Sequence, residues 1–99
     1  MIRHIVGWNH KEGTPPEEAR ANGETIRANL EALRGVIEGI VDLKVYLRPT
    51  ATSHRAIVLD SLFVDEAALA AYQVHPAHVQ AAAFSNSVTQ DKVLLDFEV

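Results

Sequence analysis

Near the middle of the chain the sequence reads Arg55-Ala56-Ile57-Val58-Leu59-Asp60-Ser61-Leu62-Phe63, a run that is mostly apolar and rich in branched side chains. A run of this length, preceded by the polar loop Pro49 to Ser53, is typical of a β-strand. Its apolar residues fall on both faces, which is the pattern of a strand covered on both sides. Val93-Leu94-Leu95, close to the end of the chain, shows the same two-sided pattern.

The segments on either side of this run also predict strands. Ile40–Leu47 alternates between apolar and mostly polar residues, which indicates a strand with one wetter face. The opening segment Ile2–Lys11 is rich in β-branched and aromatic residues and ends at the turn signal Glu12-Gly13. Lys92–Val99 is predicted to form the last strand.

The two remaining intervals predict helices. Thr14-Pro15-Pro16-Glu17 has the spacing of a capping box with threonine as the N-cap, and Gly35 is expected to end that helix in a left-handed conformation. Asp65 is expected to cap a second helix over Glu66–Tyr72, and Pro76 to start a further piece that runs through Ala83. The first helix has an apolar stripe made of Ala19, Gly23, Ile26, Leu30 and Leu33.

The predicted order is strand, helix, strand, strand, helix, strand, which indicates a single α+β domain over residues 1–99. This is the ferredoxin-like βαββαβ pattern, with a four-stranded antiparallel sheet and helices on one face. Because the helices can cover only one face, the other face would expose aliphatic residues to water. We therefore expect a two-fold homodimer, sheet against sheet. A monomer with a few exposed aliphatics is the alternative.

Composition excludes several classes of protein. The chain has no Cys, so disulfides, thiolate metal sites and thiol nucleophiles are absent. Nine Lys and Arg against thirteen Asp and Glu give a net charge of −4, which argues against a nucleic-acid partner. No apolar run is long enough for a membrane span, and the opening residues resemble a strand and not a signal peptide, so we expect a cytoplasmic protein. The glycine spacing matches no nucleotide-binding motif, and we expect no cofactor.

The segment Tyr72-Gln73-Val74-His75-Pro76-Ala77-His78 is the strongest candidate for a functional site. Pro76 would place His78 in the first turn of a helix, where the positive helix end disfavours the imidazolium and keeps the ring neutral. A neutral imidazole can act as a general base, and Tyr72 could donate a hydrogen bond to a substrate oxygen. The structural alternatives are a buried His78 bonded to a backbone carbonyl, a core Tyr72 and an N-cap role for His75.

Two further residues could complete this site. Asp96 lies between two apolar residues of the last strand and could orient the imidazole of His78, unless it is only a surface carboxylate. His4 could line the same cavity or be a satisfied interior histidine. His75 and His78 have a spacing that would permit a shared metal, but no carboxylate lies near them in sequence, and we expect no metal site.

Three parts of the sequence resemble the stress-responsive A/B-barrel (Dabb) family. They are the opening Met1–Val6, the Tyr-x-x-His-Pro-x-His motif at Tyr72–His78, and the ending Leu95–Val99. The resemblance implies a ferredoxin-like fold whose sheets pair into a dimeric barrel. Many proteins of this family have no assigned activity, and one is a polyketide cyclase that closes a linear polyketide with a His base and a Tyr. The resemblance assigns these two roles to His78 and Tyr72, with support from His4 and Asp96.

Where that cyclase has a further His on the third strand and a Tyr on the first helix, this chain has Ile57 and Ile26. The resemblance therefore implies a more apolar pocket, which we expect to be lined by His4, Ile26, Ile57 and His75. The leading hypothesis is a small enzyme for an apolar polyketide-like carbonyl compound. The alternatives are a dimeric module that binds a small apolar ligand without chemistry, and a cofactor-independent monooxygenase, the latter by fold analogy.

Overall fold

The computed structural model describes residues 1–99 and contains four strands and three α-helices. In chain order they are β1 (Ile2–His10), α1 (Pro16–Glu31), β2 (Ile40–Tyr46), β3 (Ile57–Phe63), α2 (Glu66–Val74), α3 (Pro76–Val88) and β4 (Thr89–Glu98). A 3₁₀ turn, Ala32–Gly35, follows α1 directly. None of the helices is both long and apolar enough to cross a membrane.

The four strands form one antiparallel sheet in the order β2-β3-β1-β4. The first and third strands are central, and the last strand lies at an edge beside the first. This element order and strand order confirm the predicted ferredoxin-like α+β fold. In β3 every second residue, from Ile57 to Phe63, is buried against the helices.

The start and the end of α1 differ from the prediction. Pro15 is the N-cap, and no side chain caps the helix there. The Thr14 hydroxyl, which was predicted to be the cap, donates instead to the carbonyl of Lys11 at 2.6 Å and closes the preceding turn. Gly35 does not adopt a left-handed conformation. The chain tightens into the 3₁₀ turn there, since the N–H groups of Val36 and Ile37 both bond to the carbonyl of Leu33. The capping box and the glycine cap were therefore wrong.

The caps of the other two helices are as predicted. The Asp65 carboxylate accepts a hydrogen bond from the N–H of Ala68 at 2.8 Å. Nδ1 of His75 accepts one from the N–H of Ala77 at 3.1 Å and caps α3. That helix continues past Ala83 to Val88, since its later residues Phe84 and Val88 still pack against the core. The last strand consequently begins at Thr89 and not at Lys92.

The helices cover one face of the sheet and leave the other face open. The covered face of β1 carries Ile2, His4, Val6 and Trp8, all of them buried. The open face of β4 carries three large apolar side chains that are exposed by 40–59%. These are Val93, Leu95 and Phe97, and they define what we call the open-face patch.

A candidate active site between the sheet and two helices

A cavity of about 260 Å³ lies between the sheet and helices α2 and α3, beside the edge strand β4. Its floor comes from β1 and β3, its roof from the two helices, and one wall from the last strand. Tyr72, His78 and His4 all border it. The other lining residues are Val6, Trp8, Leu30, Leu59, Gln73, Ala82, Ser85, Asn86, Lys92 and Leu94.

Tyr72 and His78 meet at the break between the two helices. Tyr72 is in the last turn of α2, His78 is in the first turn of α3, and their ring centroids are 4.2 Å apart with an angle of 40° between the planes. The break is built by His75, whose extended backbone ends one helix and caps the next, and by Pro76 at the first helical position. The structure thus brings the two predicted residues together.

One hydrogen bond defines which nitrogen of His78 is free. Nδ1 of His78 donates to the backbone carbonyl of Gln73 at 3.2 Å. A carbonyl oxygen can only accept, so the proton of the neutral ring is on Nδ1 and the lone pair is on Nε2. The predicted general base therefore has a defined basic atom.

The surroundings of His78 favour its neutral form. Burial lowers the pKa of His78 below the usual 6.5, the bond to Gln73 works in the opposite direction, and repulsion from His4 and Lys92 lowers it further. The net direction is downward. An imidazole of this kind is unprotonated at neutral pH and can accept a proton.

Tyr72 is fully buried, and its ring packs against Phe63 with centroids 4.8 Å apart. Its hydroxyl has no hydrogen-bond partner within the protein. Burial strongly raises the pKa of this phenol, so the hydroxyl keeps its proton at any physiological pH. Tyr72 is a hydrogen-bond donor that no protein group uses.

The predicted contact between Asp96 and His78 is not made. The Asp96 carboxylate instead accepts a hydrogen bond from Nδ1 of His4, its cross-strand neighbour. The reason is the register of β1 and β4, which places these two residues directly opposite each other, while His78 satisfies its own Nδ1 on α3. Asp96 therefore positions a second imidazole, and the rings of His4 and Tyr72 lie 6.2 Å apart.

Three residues expected around the pocket lie elsewhere. Ile26 is completely buried in the core, and Ile57 borders a different cavity next to α1. His75 is occupied as the cap of α3. The helical periodicity of α1 predicted Ile26 on the apolar stripe, and the structure buries it there; the resemblance alone had placed it at the pocket.

Residues 2–99 match the family described as the Stress responsive A/B Barrel Domain. This chain belongs to that family. The sequence resemblance stated above is thereby confirmed over nearly the whole length of the domain. No curated protein matches the domain significantly.

Solved structures resemble the domain closely in fold. A dimeric protein of unknown function with a ferredoxin-like fold from Bacteroides fragilis is 26% identical, with a TM-score of 0.91, and the match covers 99% of this chain and 95% of that one. The hydroxynitrile lyase from Passiflora edulis is 16% identical with a TM-score of 0.80, covering 99% and 92%. An antibiotic biosynthesis monooxygenase is 16% identical with a TM-score of 0.76, covering 100% and 98%. The last two similarities show the fold alone.

Sequence reasoning missed several residues of the domain's cavity, among them Trp8, Gln73 and Lys92. The signal for Lys92 was present, because it is four positions before Asp96 and a strand places such residues on one face. The carbonyl role of Gln73 has no sequence signal, since any residue offers a backbone carbonyl. No group of three or more potential metal ligands occurs in the domain.

A second, larger cavity of about 520 Å³ lies between α1 and the ends of β1, β2 and β3. Its lining includes Arg20, Arg27 and Arg48, of which Arg27 is paired with Glu24. All three arginines are exposed. The cavity shares no lining residue with the one that holds His78 and Tyr72.

Proposed function

We propose that this domain is a small enzyme that transfers a proton in an apolar carbonyl compound, with Nε2 of His78 as the general base. The observation that carries the proposal is the pairing of a neutral imidazole of defined tautomer with an unused phenolic donor beside one cavity. A base and an oxygen-binding donor are the two groups that enolate chemistry requires.

The reaction begins at a carbon next to a carbonyl group. Nε2 of His78 takes a proton from that carbon, and the electron pair of the broken C–H bond moves to form the enolate, whose negative charge is on oxygen. The hydroxyl of Tyr72 stabilises that oxygen by donating a hydrogen bond. The enolate carbon then attacks a second carbonyl of the same molecule, forming a C–C bond, and the imidazolium returns its proton to the new alkoxide.

The walls of the cavity favour this chemistry. Seven of its thirteen lining residues are apolar, and Leu30, Leu59 and Leu94 are among them. Little water accompanies a substrate into such a site, so hydrogen bonds to a developing oxyanion are stronger than in bulk solvent. His4, held by Asp96, offers a second imidazole on the opposite side of the cavity from α3.

We also infer that the domain functions as a homodimer. The open-face patch would be covered by the same face of a second copy, as a two-fold axis requires. The Bacteroides fragilis protein with the same fold is described as dimeric, which supports this assignment. Sedimentation equilibrium at micromolar concentration should give about twice the 10.9 kDa chain mass, and a pure monomer would contradict it.

The proton-transfer proposal can be tested before a substrate is known. We would follow exchange of α-protons in D₂O by NMR for a panel of apolar ketones, such as acetophenone and 2-heptanone, with and without the protein. Wild type should accelerate exchange of at least one ketone by roughly 100-fold over buffer, the lower end for a positioned base. His78→Ala should abolish this effect.

The matched control is His54→Ala, because His54 is exposed in the loop before β3 and borders neither cavity. This variant should exchange the ketone as fast as wild type. Equal rates for wild type and His78→Ala would refute the assignment of the base. Absence of acceleration for every ketone in the panel would refute the proposed activity.

A dimeric module that binds an apolar ligand without chemistry is the second candidate. It is favoured by the complete burial of Tyr72, whose hydroxyl would have to be uncovered before it could reach a substrate oxygen. Under that function, a ketone would bind in the cavity without any exchange of its α-protons, so the same experiment separates the two.

A further inference from the structure

The edge strand β4 contains a β-bulge opposite Trp8. Gly7 pairs with Val93 and Asn9 pairs with Gln90. Two residues of β4, Asp91 and Lys92, therefore lie opposite the single residue Trp8 of β1. Bulges of this kind redirect side chains and are frequent beside active sites.

The bulge depends on a left-handed residue. Asp91 has a φ of 57° and is the only residue other than glycine with a positive φ. Aspartate tolerates this conformation better than most residues, but the conformation persists only where neighbours hold it. Here Nε of Arg55 donates to the Asp91 carbonyl at 2.6 Å, and the side-chain amide of Asn9 donates to its carboxylate at 3.3 Å.

The consequence of the bulge is the position of Lys92. Val93 lies on the open face opposite Gly7, and Lys92 and Leu94 lie on the covered face, where both line the cavity that holds His78. Lys92 takes part in no ion pair. Asp96, the nearest carboxylate on the same face of β4, is engaged by His4.

The cavity therefore has a cation without a protein counter-charge. The other titratable groups that face it are His4, Tyr72 and His78, and none of them is an unpaired anion. Lys92 is exposed where it borders the cavity, so an anionic group of a ligand could meet its ammonium there while the apolar part of the ligand lies inside.

We propose that Lys92 binds a carboxylate of the substrate, so that the substrate class is a small keto acid with an apolar remainder. This inference rests on the proposed function, because it places the carbonyl of that acid between His78 and Tyr72. The cavity of about 260 Å³ is below the usual size of pockets for drug-sized ligands, which fits a small acid.

Binding of a carboxylate would also assist the base. Lys92 repels the protonated form of His78 and thereby lowers its pKa. A carboxylate paired with the ammonium cancels part of this repulsion, so the proton affinity of His78 rises when a substrate is present. The base is thus neutral before binding and more basic after it.

The single tryptophan of the chain gives a specific probe of the cavity, because Trp8 lines it. We would titrate the ¹⁵N-labelled protein with 4-phenylbutanoate and separately with its neutral amide, 4-phenylbutanamide, and follow the indole N–H resonance. Wild type should bind the carboxylate about tenfold more tightly than the amide, as expected for a charge-assisted hydrogen bond.

Lys92→Met should equalise the two affinities, and Lys92→Arg should restore the preference for the carboxylate. Lys11→Met and Arg48→Met are matched controls that remove a cation elsewhere, the second from the cavity beside α1, and both should keep the wild-type preference. Asp91→Gly should also keep the preference for the carboxylate, because glycine permits the left-handed backbone of the bulge. Asp91→Val should weaken that preference, because valine does not favour this conformation.

Equal binding of acid and amide by wild type would overturn the inference, as would an undiminished preference in Lys92→Met. A titration in which neither compound moves the Trp8 resonance would overturn it too. These failures are distinct from failure of the proposed function. Exchange of a neutral ketone that depends on His78 would stand even if Lys92 had no role in selecting substrates.

Discussion

The ring centroids of Tyr72 and His78 are 4.2 Å apart, although the two residues are six positions apart in the chain. In one continuous helix, residues with this separation point about 120° apart around the axis and lie about 9 Å apart along it, so their rings cannot stack. They meet here because the helix stops at Val74 and restarts at Pro76. The break is therefore what assembles the candidate site.

The lowered pKa of His78 predicts a pH-dependent stability. In the unfolded chain the ring titrates near its usual 6.5, and in the folded protein it titrates lower. Its stabilising contribution is complete above pH 6.5 and is lost as the pH falls through the folded value, because the unfolded state binds the proton first. The free energy of unfolding in urea should fall less between pH 7 and pH 5 in His78→Gln than in wild type. His54→Gln should follow the wild-type curve, and equal curves for wild type and His78→Gln would contradict the prediction.

Removal of the Tyr72 hydroxyl should slow ketone exchange without lowering the free energy of unfolding. Because this buried hydroxyl has no protein partner, Tyr72→Phe should leave the free energy of unfolding unchanged or raise it by about 1 kcal/mol. Ketone exchange should slow by about tenfold or more, since the oxyanion loses its donor. Tyr46→Phe, at a half-exposed position on β2 on the opposite face of the sheet from the cavity, is the control and should leave ketone exchange unchanged. A large loss of stability in Tyr72→Phe would show that the hydroxyl has a structural partner.

The pair formed by His4 and Asp96 should matter more than an ordinary surface ion pair. Asp96→Asn weakens a hydrogen bond to a buried imidazole and should cost about 1–3 kcal/mol of unfolding free energy. Asp60→Asn, which loses an Arg3 pair whose two side chains are each about one-third exposed (34% and 38%), should cost less than about 1 kcal/mol. The ring ¹⁵N shifts of His4 should change in Asp96→Asn, and those of His78 should change little. A change in the ring ¹⁵N shifts of His78 without a change in those of His4 would instead support the prediction from the sequence, in which Asp96 orients His78.

A charge in the open-face patch should prevent dimerisation. Leu95 is 59% exposed in the single chain, so Leu95→Asp should fold normally but sediment as a monomer, because the buried carboxylates would face each other across the two-fold axis. Val36→Asp is the control, since Val36 is equally exposed but follows the 3₁₀ turn away from the sheet. If Leu95→Asp and wild type sediment equally, the open-face patch is not the dimer interface.

Most of the fold was predictable from short patterns. The alternation in Ile40–Leu47, the two-sided run ending at Phe63 and the caps at Asp65 and His75 depend on a few neighbouring residues each. Competing local partners explain the errors. Thr14 had a turn carbonyl within reach and did not cap its helix, and Gly35 was absorbed into a 3₁₀ turn.

The candidate site was only partly predictable. The motif at Tyr72–His78 identified two of its residues, because the proline break acts through local geometry. The family resemblance placed Ile26 and Ile57 at the pocket, but Ile26 lies in the core, as the apolar stripe of α1 predicted, and Ile57 borders the cavity beside α1.

The amino-acid sequence by itself determined the order of strands and helices, the helix break and the family, since each follows from local periodicity, caps or motif spacing. Only the tertiary structure decided that Asp96 pairs with His4 and that Lys92 borders the cavity. Both depend on how β4 is aligned beside β1, where a shift of one residue moves every side chain to the other face. A bulge at Asp91 sets that alignment for Lys92 through contacts with residues far away in the chain.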